Sequence, residues 1–460
     1  MPRRPVRVRP PSAVAGGVAA IATEFGLPDA FPADVLAEAQ AAAAAWRPAP
    51  GVPRLELPFV TIDPPGSRDL DQALHLERRA DGHRVTYAIA DVAAFVAPGG
   101  AVDREAHARA TTVYLPGLRL PLHPPVLSEG AASLLPGEQR PAFVWTLDLD
   151  ATGALASAAV HRAVVRSVAQ YDYAGVPEDL GALLAEVGER RLAQERARGG
   201  VSLRLPEQEV VCGPDGWTTA FRAPLATEEH NAQVSLLTGM AAAQLMTRAG
   251  AGLLRSQGPP DAKAQDRLRG AAAALGAPWP QDVPYAAWVR TLDPSAPAHA
   301  ALLHQAATSG RGAGYVAFDG EPPPDASHFA IAAPYAHATA PLRRLADRHV
   351  LEACAAVCDG RPVPRWVRDA LPALPGVMAA GAQRAAKAER AAVDLVEATL
   401  LQDRVGQTFE AVAIDDDLVQ LHAPAVRERV PGGGLQAGAT VTVRLDAAEP
   451  ATRTVRFSTV

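Results

Sequence analysis

The chain has 460 residues, 48% of them hydrophobic and 20% charged, with a formal net charge of −6. At roughly 150 residues per domain this makes two or three domains with a full-sized core, which excludes intrinsic disorder as the main state. The acidic balance excludes a protein coated in nucleic acid by bulk charge, and no apolar run reaches the roughly 18–20 residues of a membrane span. The N-terminus, Met1-Pro-Arg-Arg-Pro, lacks the apolar core of a secretory signal, so a cytoplasmic protein is expected. Cys354 and Cys358, four apart on a predicted helix, read as buried thiols, and with Cys212 they form no C-x-x-C clamp. The cations are almost all arginine, Lys263 and Lys387 being the only lysines. A GC-rich coding sequence accounts for that bias, so position must carry any argument about phosphate.

Residues 1–52 read as a helical module. A basic arm with Arg3, Arg4, Arg7 and Arg9 precedes a helix over Ala13–Phe25 and a second from Pro32 to Trp46, stopped by Pro48 and Pro50. From Leu55 the pattern turns to β-type runs at Phe59–Asp63, Leu70–Arg78, Arg84–Asp91 and Ala142–Leu149. Helices follow over Asp179–Arg198, His230–Ala249, Asp261–Leu275, Arg343–Val357 and Gly376–Leu401. Strands followed by many helices predict a large α+β unit over residues 53–402. Residues 403–460 return to strands around Thr408–Ile414, Leu418–Leu421, Thr440–Leu445 and Thr454–Ser458, a small β-barrel by pattern.

The most informative window is Phe59-Val-Thr-Ile-Asp63-Pro-Pro-Gly-Ser-Arg-Asp69-Leu-Asp71-Gln72. A strand ends in Asp63, and Pro64-Pro65-Gly66 turns the chain so that Asp69 and Asp71 come back towards it. Asp69 and Asp71 are two apart and share a face if they open the second strand. These carboxylates are either caps and turn residues or hard oxygen ligands for Mg²⁺ or Mn²⁺, as metal-assisted phosphodiester hydrolysis requires. If Asp81-Gly82 is a two-residue hairpin turn, Leu74 faces Ile89 and Gln72 faces Asp91. Leu74, Leu76, Tyr87 and Ile89 then form a core face. Asp69, Asp71, Ala73, Ala88 and Ala90 form an acidic rim over a floor of small residues, with room for a ligand.

This window resembles the metal-binding motif of the ribonuclease II/R (RNB) family of exoribonucleases, Thr-Ile-Asp, five residues, then Asp-x-Asp-Asp. Further segments match in the same order: Tyr87-Ala-Ile-Ala-Asp91-Val, Tyr114-Leu-Pro-Gly, Leu127-Ser-Glu-Gly, Ser133-Leu-Leu-Pro-Gly, His328-Phe-Ala-Ile and Thr339-Ala-Pro341-Leu-Arg343-Arg344. The resemblance covers about residues 55–400 and implies an RNB-type catalytic domain. It implies that Asp63, Asp69 and Asp71 hold Mg²⁺, with Mn²⁺ as a substitute, and that Asp69, Asp71 and Arg343 are catalytic. Gln72 stands where the family has a fourth carboxylate. Its amide oxygen is a ligand without formal charge, and Asp91, opposite it in the expected register, either compensates as a second layer or caps the strand end. Arg343 matches an arginine on the reacting phosphate, Arg344 an adjacent RNA contact, Glu389 a glutamate near the site, and Tyr171 a tyrosine that stacks on RNA. The family's second aromatic clamp has no counterpart in Leu253–Asp261.

The family usually carries two cold-shock barrels ahead of this unit. Residues 1–52 are too short for one and read as either a helix-turn-helix-like module or a helical brace, so a channel mouth open to structured RNA is expected. Residues 403–460 align with an S1-like OB-fold domain. Phe409 and Phe457 are its aromatics, and Arg427, Arg429, Arg444, Arg453 and Arg456 are there to track phosphates. The resemblance implies a monomeric, processive 3′→5′ exoribonuclease that converts single-stranded RNA to nucleoside 5′-monophosphates. The competing expectation is a catalytically weak RNA-binding member of the family.

Overall fold

The computed structural model describes residues 12–203, 207–213, 216–294, 296–310, 312–324, 326–421 and 423–460. The expected phosphate contacts at Arg3, Arg4, Arg7 and Arg9 lie outside the described residues.

A closed barrel forms from Arg54–Ile62, Gln72–Arg79, Gly82–Ala90, Gln139–Asp150 and Leu155–Tyr171, in that order around it. Neighbours are antiparallel, and the last strand closes on the first in parallel, with Tyr171 beside Ile62. The two faces separate as expected. Leu74, Leu76, Tyr87 and Ile89 share a core with Val234 and Leu237 of the helix Ala226–Ala249 and with Val350 of the helix Leu345–Cys358. Ala73, Ala88 and Ala90 share a second core with Phe59, Val35, Ala39, Leu127 and Leu134. The expected open floor is therefore corrected, because the small side chains let a second apolar layer pack to contact.

The hairpin register is corrected by two residues. Arg79 faces Gly82 and Gln72 faces Ile89, so the turn is Ala80-Asp81. Gly82 enters the ladder with φ +147°, where a Cβ would collide with the Leu149 carbonyl oxygen on the next strand. A shift of two keeps every side chain on its face but moves Asp91 away from Gln72.

Asp69 and Asp71 do not open a strand, which begins at Gln72. Ser133 holds the preceding segment away from the ladder. Its Oγ accepts from the Leu70 N–H at 3.0 Å and donates to the Arg68 carbonyl at 2.6 Å.

The helices Ser12–Glu24 and Ala33–Ala45 each spend their apolar face on the larger unit. Val14, Val18 and Ile21 pack with Leu395 and Val396 of the long helix Leu374–Leu401, while Val35 and Ala39 pack with Val102. Glu38 caps the helix Ala101–Arg109, accepting from the N–H groups of Ala101 (2.7 Å) and Val102 (3.1 Å). That arrangement is a brace. Cys354 is buried and Cys358 half-buried.

Beyond the long helix, five strands run in the order Val426–Arg429, Leu418–Leu421, Thr408–Ala413, Thr440–Glu449, Thr454–Thr459. Their core takes in Ala398 and Leu401 of the helix. Phe409 and Phe457 are buried in it, their rings edge to face at 5.9 Å, so the expected aromatics are core residues. Among the described residues, no helix is long and apolar enough to cross a membrane.

Candidate active site

Three chain segments meet beside the Asp63 end of the first barrel strand. Asp63 follows Ile62, its N–H donating to the Tyr171 carbonyl at 3.0 Å, and the Pro64–Ser67 turn, closed by the Ser67 N–H on the Pro64 carbonyl at 3.1 Å, leads to Asp69. The second segment is the hairpin Val113–Leu115 and Leu118–Leu120, in which Tyr114 and Arg119 are cross-strand partners. Sharing a face, both reach Asp69. The Tyr114 hydroxyl donates to Oδ2 at 3.1 Å, and Arg119 Nη1 donates to Oδ1 at 2.8 Å. Arg119 Nη2 is paired with Glu129.

The third segment, Thr339–Arg344, lies against Asp71 and Gln72. Asp71 is buried and accepts from the Leu342 N–H at Oδ1 (2.7 Å) and from Arg343 Nε at Oδ2 (3.2 Å). The Gln72 amide donates from Nε2 to the Thr339 carbonyl at 2.5 Å and accepts at Oε1 from the Tyr87 hydroxyl at 2.5 Å. Gln72, expected as a metal ligand, thus has both ends of its amide engaged by protein. Arg344, expected on RNA, is committed to Asp347 through Nε (3.0 Å) and Nη2 (2.7 Å), and Asp347 also accepts from the Ala340 N–H at 2.7 Å. Asp91 accepts from Arg162 Nε at 2.7 Å and from the Ala94 N–H at 3.2 Å. With the register moved, it anchors the barrel and does not back Gln72.

Tyr171 ends the last barrel strand, half-buried next to Asp63. Glu389 stands half-buried on the long helix, which packs against the strand bearing Tyr114. Sequence reasoning missed Arg119, Ser133 and Asp347. Arg119 was within reach, because a two-residue Pro116-Gly117 turn places it opposite Tyr114.

Burial pushes the Asp63 carboxyl up to about 7, with Asp69 adding to the shift and Arg343 opposing it. Burial pushes Asp71 up to about 8 against the pull of Arg343 and the Leu342 N–H. Tyr114 is raised by burial first and then by Asp69, so its hydroxyl stays protonated and donates. Asp63 Oδ2 is buried without a hydrogen-bond partner. A buried carboxylate oxygen left unpaired, beside an Asp69 that raises both Asp63 and Asp71, is chemistry that suits a hard divalent cation. Asp63, Asp69 and Asp71 are the donors that fit it. Among the described residues, no three His, Cys, Asp or Glu side chains already converge as a metal-holding group. The guanidinium groups of Arg119 and Arg343 stand on Asp69 and Asp71 instead.

The RNB domain family is matched by residues 55–359, and the RNase II-type exonuclease C-terminal S1 domain by residues 407–460. The chain is 28% identical over 398 residues to Ribonuclease R of Vibrio cholerae, covering 77% of this chain and 47% of the relative. It is 46% identical over 100 residues to Exoribonuclease 2 of Edwardsiella piscicida, covering 22% of this chain and 16% of the relative. Each match thus spans less than half the length of the curated relative. Among solved structures, Mycoplasma genitalium RNase R superposes with a TM-score of 0.87 at 19% identity, covering 98% of this chain and 78% of that one. A yeast pseudonuclease superposes at 0.71 with 16% identity, covering 96% and 58%.

Proposed function

Because the chain belongs to the RNB-domain family, we propose that it is a divalent-metal-dependent, processive 3′→5′ exoribonuclease that hydrolyses single-stranded RNA to nucleoside 5′-monophosphates. The observation that carries this reading is Asp71 held against Arg343, with Asp69 near enough to raise both Asp63 and Asp71 and with the Asp63 Oδ2 buried and unpaired. Mg²⁺, or Mn²⁺ in its place, would be held by the three aspartates. Bound there, it would supply Lewis acidity to the scissile phosphate and lower the pKa of water.

The chain's own groups do the rest. Arg343 has its Nε on Asp71, so a phosphate that approaches Asp71 meets a fixed positive charge as negative charge develops on its oxygens. Tyr114 and Arg119 hold both oxygens of Asp69 in one orientation. Tyr171, at the end of the strand beside Asp63, offers a ring for the terminal bases to stack on. Glu389 is on the long helix that packs against the strand bearing Tyr114. The protein acts as a monomer in the cytoplasm.

The test is hydrolysis of 5′-labelled against 3′-labelled single-stranded RNA with Mg²⁺ and with chelator. Hairpins with 3′ overhangs in the same assay measure how far structured RNA is digested. Immediate release of labelled mononucleotide from the 3′ label, abolished by chelator, is expected. The replacement of a fourth carboxylate by Gln72 favours a second reading, a catalytically weak RNA-binding member of the family. RNA binding without Mg²⁺-stimulated release of mononucleotide would establish that one instead.

A further inference from the structure

We propose that Gln72 is a positioning residue that staples the turn carrying Arg343 onto the barrel and gives no ligand to a metal ion, an inference that rests on Arg343 facing the reacting phosphate. Two consecutive residues grip the turn at both ends. Gln72 Nε2 donates to the Thr339 carbonyl at 2.5 Å, and Asp71 Oδ1 accepts from the Leu342 N–H at 2.7 Å. Within the turn the Arg343 N–H donates to the Ala340 carbonyl at 3.2 Å, and the Arg343 side chain returns to Asp71. The staple therefore sets where the guanidinium sits.

The amide orientation is forced by its neighbours. A flipped amide would set its oxygen against the Thr339 carbonyl oxygen, two acceptors in contact. In the orientation found, Oε1 takes the proton of the Tyr87 hydroxyl, which is buried and also lies 3.0 Å from Ser235 Oγ. A relay Ser235–Tyr87–Gln72–Thr339 thus links the helix Ala226–Ala249, the barrel and the turn. An aspartate at position 72 would be one methylene shorter and would have nothing to donate. The exchange of carboxylate for amide gives up formal charge and gains a donor aimed at a backbone carbonyl.

The experiment compares the whole protein with Gln72→Asp, Gln72→Met, Gln72→Glu and Tyr87→Phe. Three quantities are measured: the Mn²⁺ dissociation constant by electron paramagnetic resonance without RNA, amide hydrogen exchange across Thr339–Leu345, and kcat with KM on single-stranded RNA. Losing the donor should speed exchange in the turn and lower kcat, each by about tenfold, leaving KM and the Mn²⁺ constant within about twofold. Tyr87→Phe should move exchange and kcat in the same direction, and combining it with Gln72→Met should add little, because both break one relay. Tighter Mn²⁺ binding with a preserved or raised rate in Gln72→Asp would make position 72 a ligand site and overturn the staple. So would unchanged exchange in the turn of Gln72→Met. Should the unmodified protein hydrolyse no RNA, the proposed function fails, while exchange and Mn²⁺ affinity still decide the staple.

Discussion

At the scale of single residues, the site holds its carboxylates with arginines. Asp71→Asn keeps an acceptor for the Leu342 N–H but removes the carboxylate proposed to hold the metal ion beside Arg343. Single-turnover hydrolysis should fall by roughly 100-fold or more, with RNA affinity by filter binding changed little. Arg343→Lys should also fall far below the starting rate, because an ammonium has no planar edge to share between Asp71 and a phosphate. Arg119 lends itself to a metal titration. It stands 2.8 Å from Asp69 at a partly exposed position, where removing its charge is worth about 1 kcal/mol. Arg119→Gln should therefore tighten Mn²⁺ binding by about fivefold, and unchanged or weaker binding would show that Arg119 does not compete for Asp69. Asp63, Asp69, Asp71 and Arg343 could be singled out from the sequence because their type and spacing survive in one dimension. The contact that Gln72 makes could not, because its partner Thr339 lies 267 residues away and a lone amide carries no spacing signal.

At the scale of elements, alternation was read correctly and register was not. The faces of the hairpin Gln72–Arg79 and Gly82–Ala90 came from period two, but its turn depended on a glycine whose neighbour is the backbone of a third strand. The seventeen-residue strand Leu155–Tyr171 escaped the sequence reading altogether. Its alanines and exposed stretches blur the alternation, and of its two partners only Gln139–Asp150 is close in sequence, Arg54–Ile62 lying far back along the chain. The hairpin Glu207–Gly213 and Gly216–Arg222 escaped as well, and it joins the catalytic unit to the C-terminal strands. Gln208 Nε2 donates both to Glu397 of the long helix and to the Ala425 carbonyl, each at 2.7 Å. Burial pushes the Glu397 carboxyl up to about 7 from 4.5. The folded value lies above the unfolded one, so the stability from this group is complete below pH 4.5 and is lost as pH rises through 7. Glu397→Gln keeps the acceptor for Gln208 and removes the titration. It should stabilise the protein at pH 8 by about 1–3 kcal/mol in urea unfolding, with little gain near pH 4.5. An equal gain at both pH values would assign the effect to packing.

At the scale of the whole molecule, the flanking parts are tied to the barrel unit and to each other. The first helix lies on the long helix, and Glu24 at its end pairs with Arg453 at 2.8 Å, tying the N-terminal brace to the C-terminal strands. Most arginines expected to track phosphates along those strands are neutralised in place. Arg429 pairs with Asp417, Arg444 with Asp446 and Arg453 with Glu24, while Arg427 donates to Gln420 and lies over the Phe221 ring. Composition gave no hint of this, because two of the three partners, Asp417 and Glu24, come from other segments of the chain. Among the described residues, Arg427 and Arg456 are the two of the five for which no ion pair is found, and Arg427 is held by Gln420 and the Phe221 ring. A phosphate that displaces a paired arginine must compete with its carboxylate, so paired arginines release little net counterion on binding. The salt dependence of RNA affinity, measured by fluorescence anisotropy with chelator present, separates the two kinds. Arg456→Ala should make the slope of log K against log salt shallower by about 0.7, the value of one single-strand phosphate contact. Arg429→Ala should leave the slope nearly unchanged. If Arg429→Ala and Arg444→Ala each removed about 0.7, the pairs would open on RNA and the C-terminal strands would be a full phosphate-binding surface.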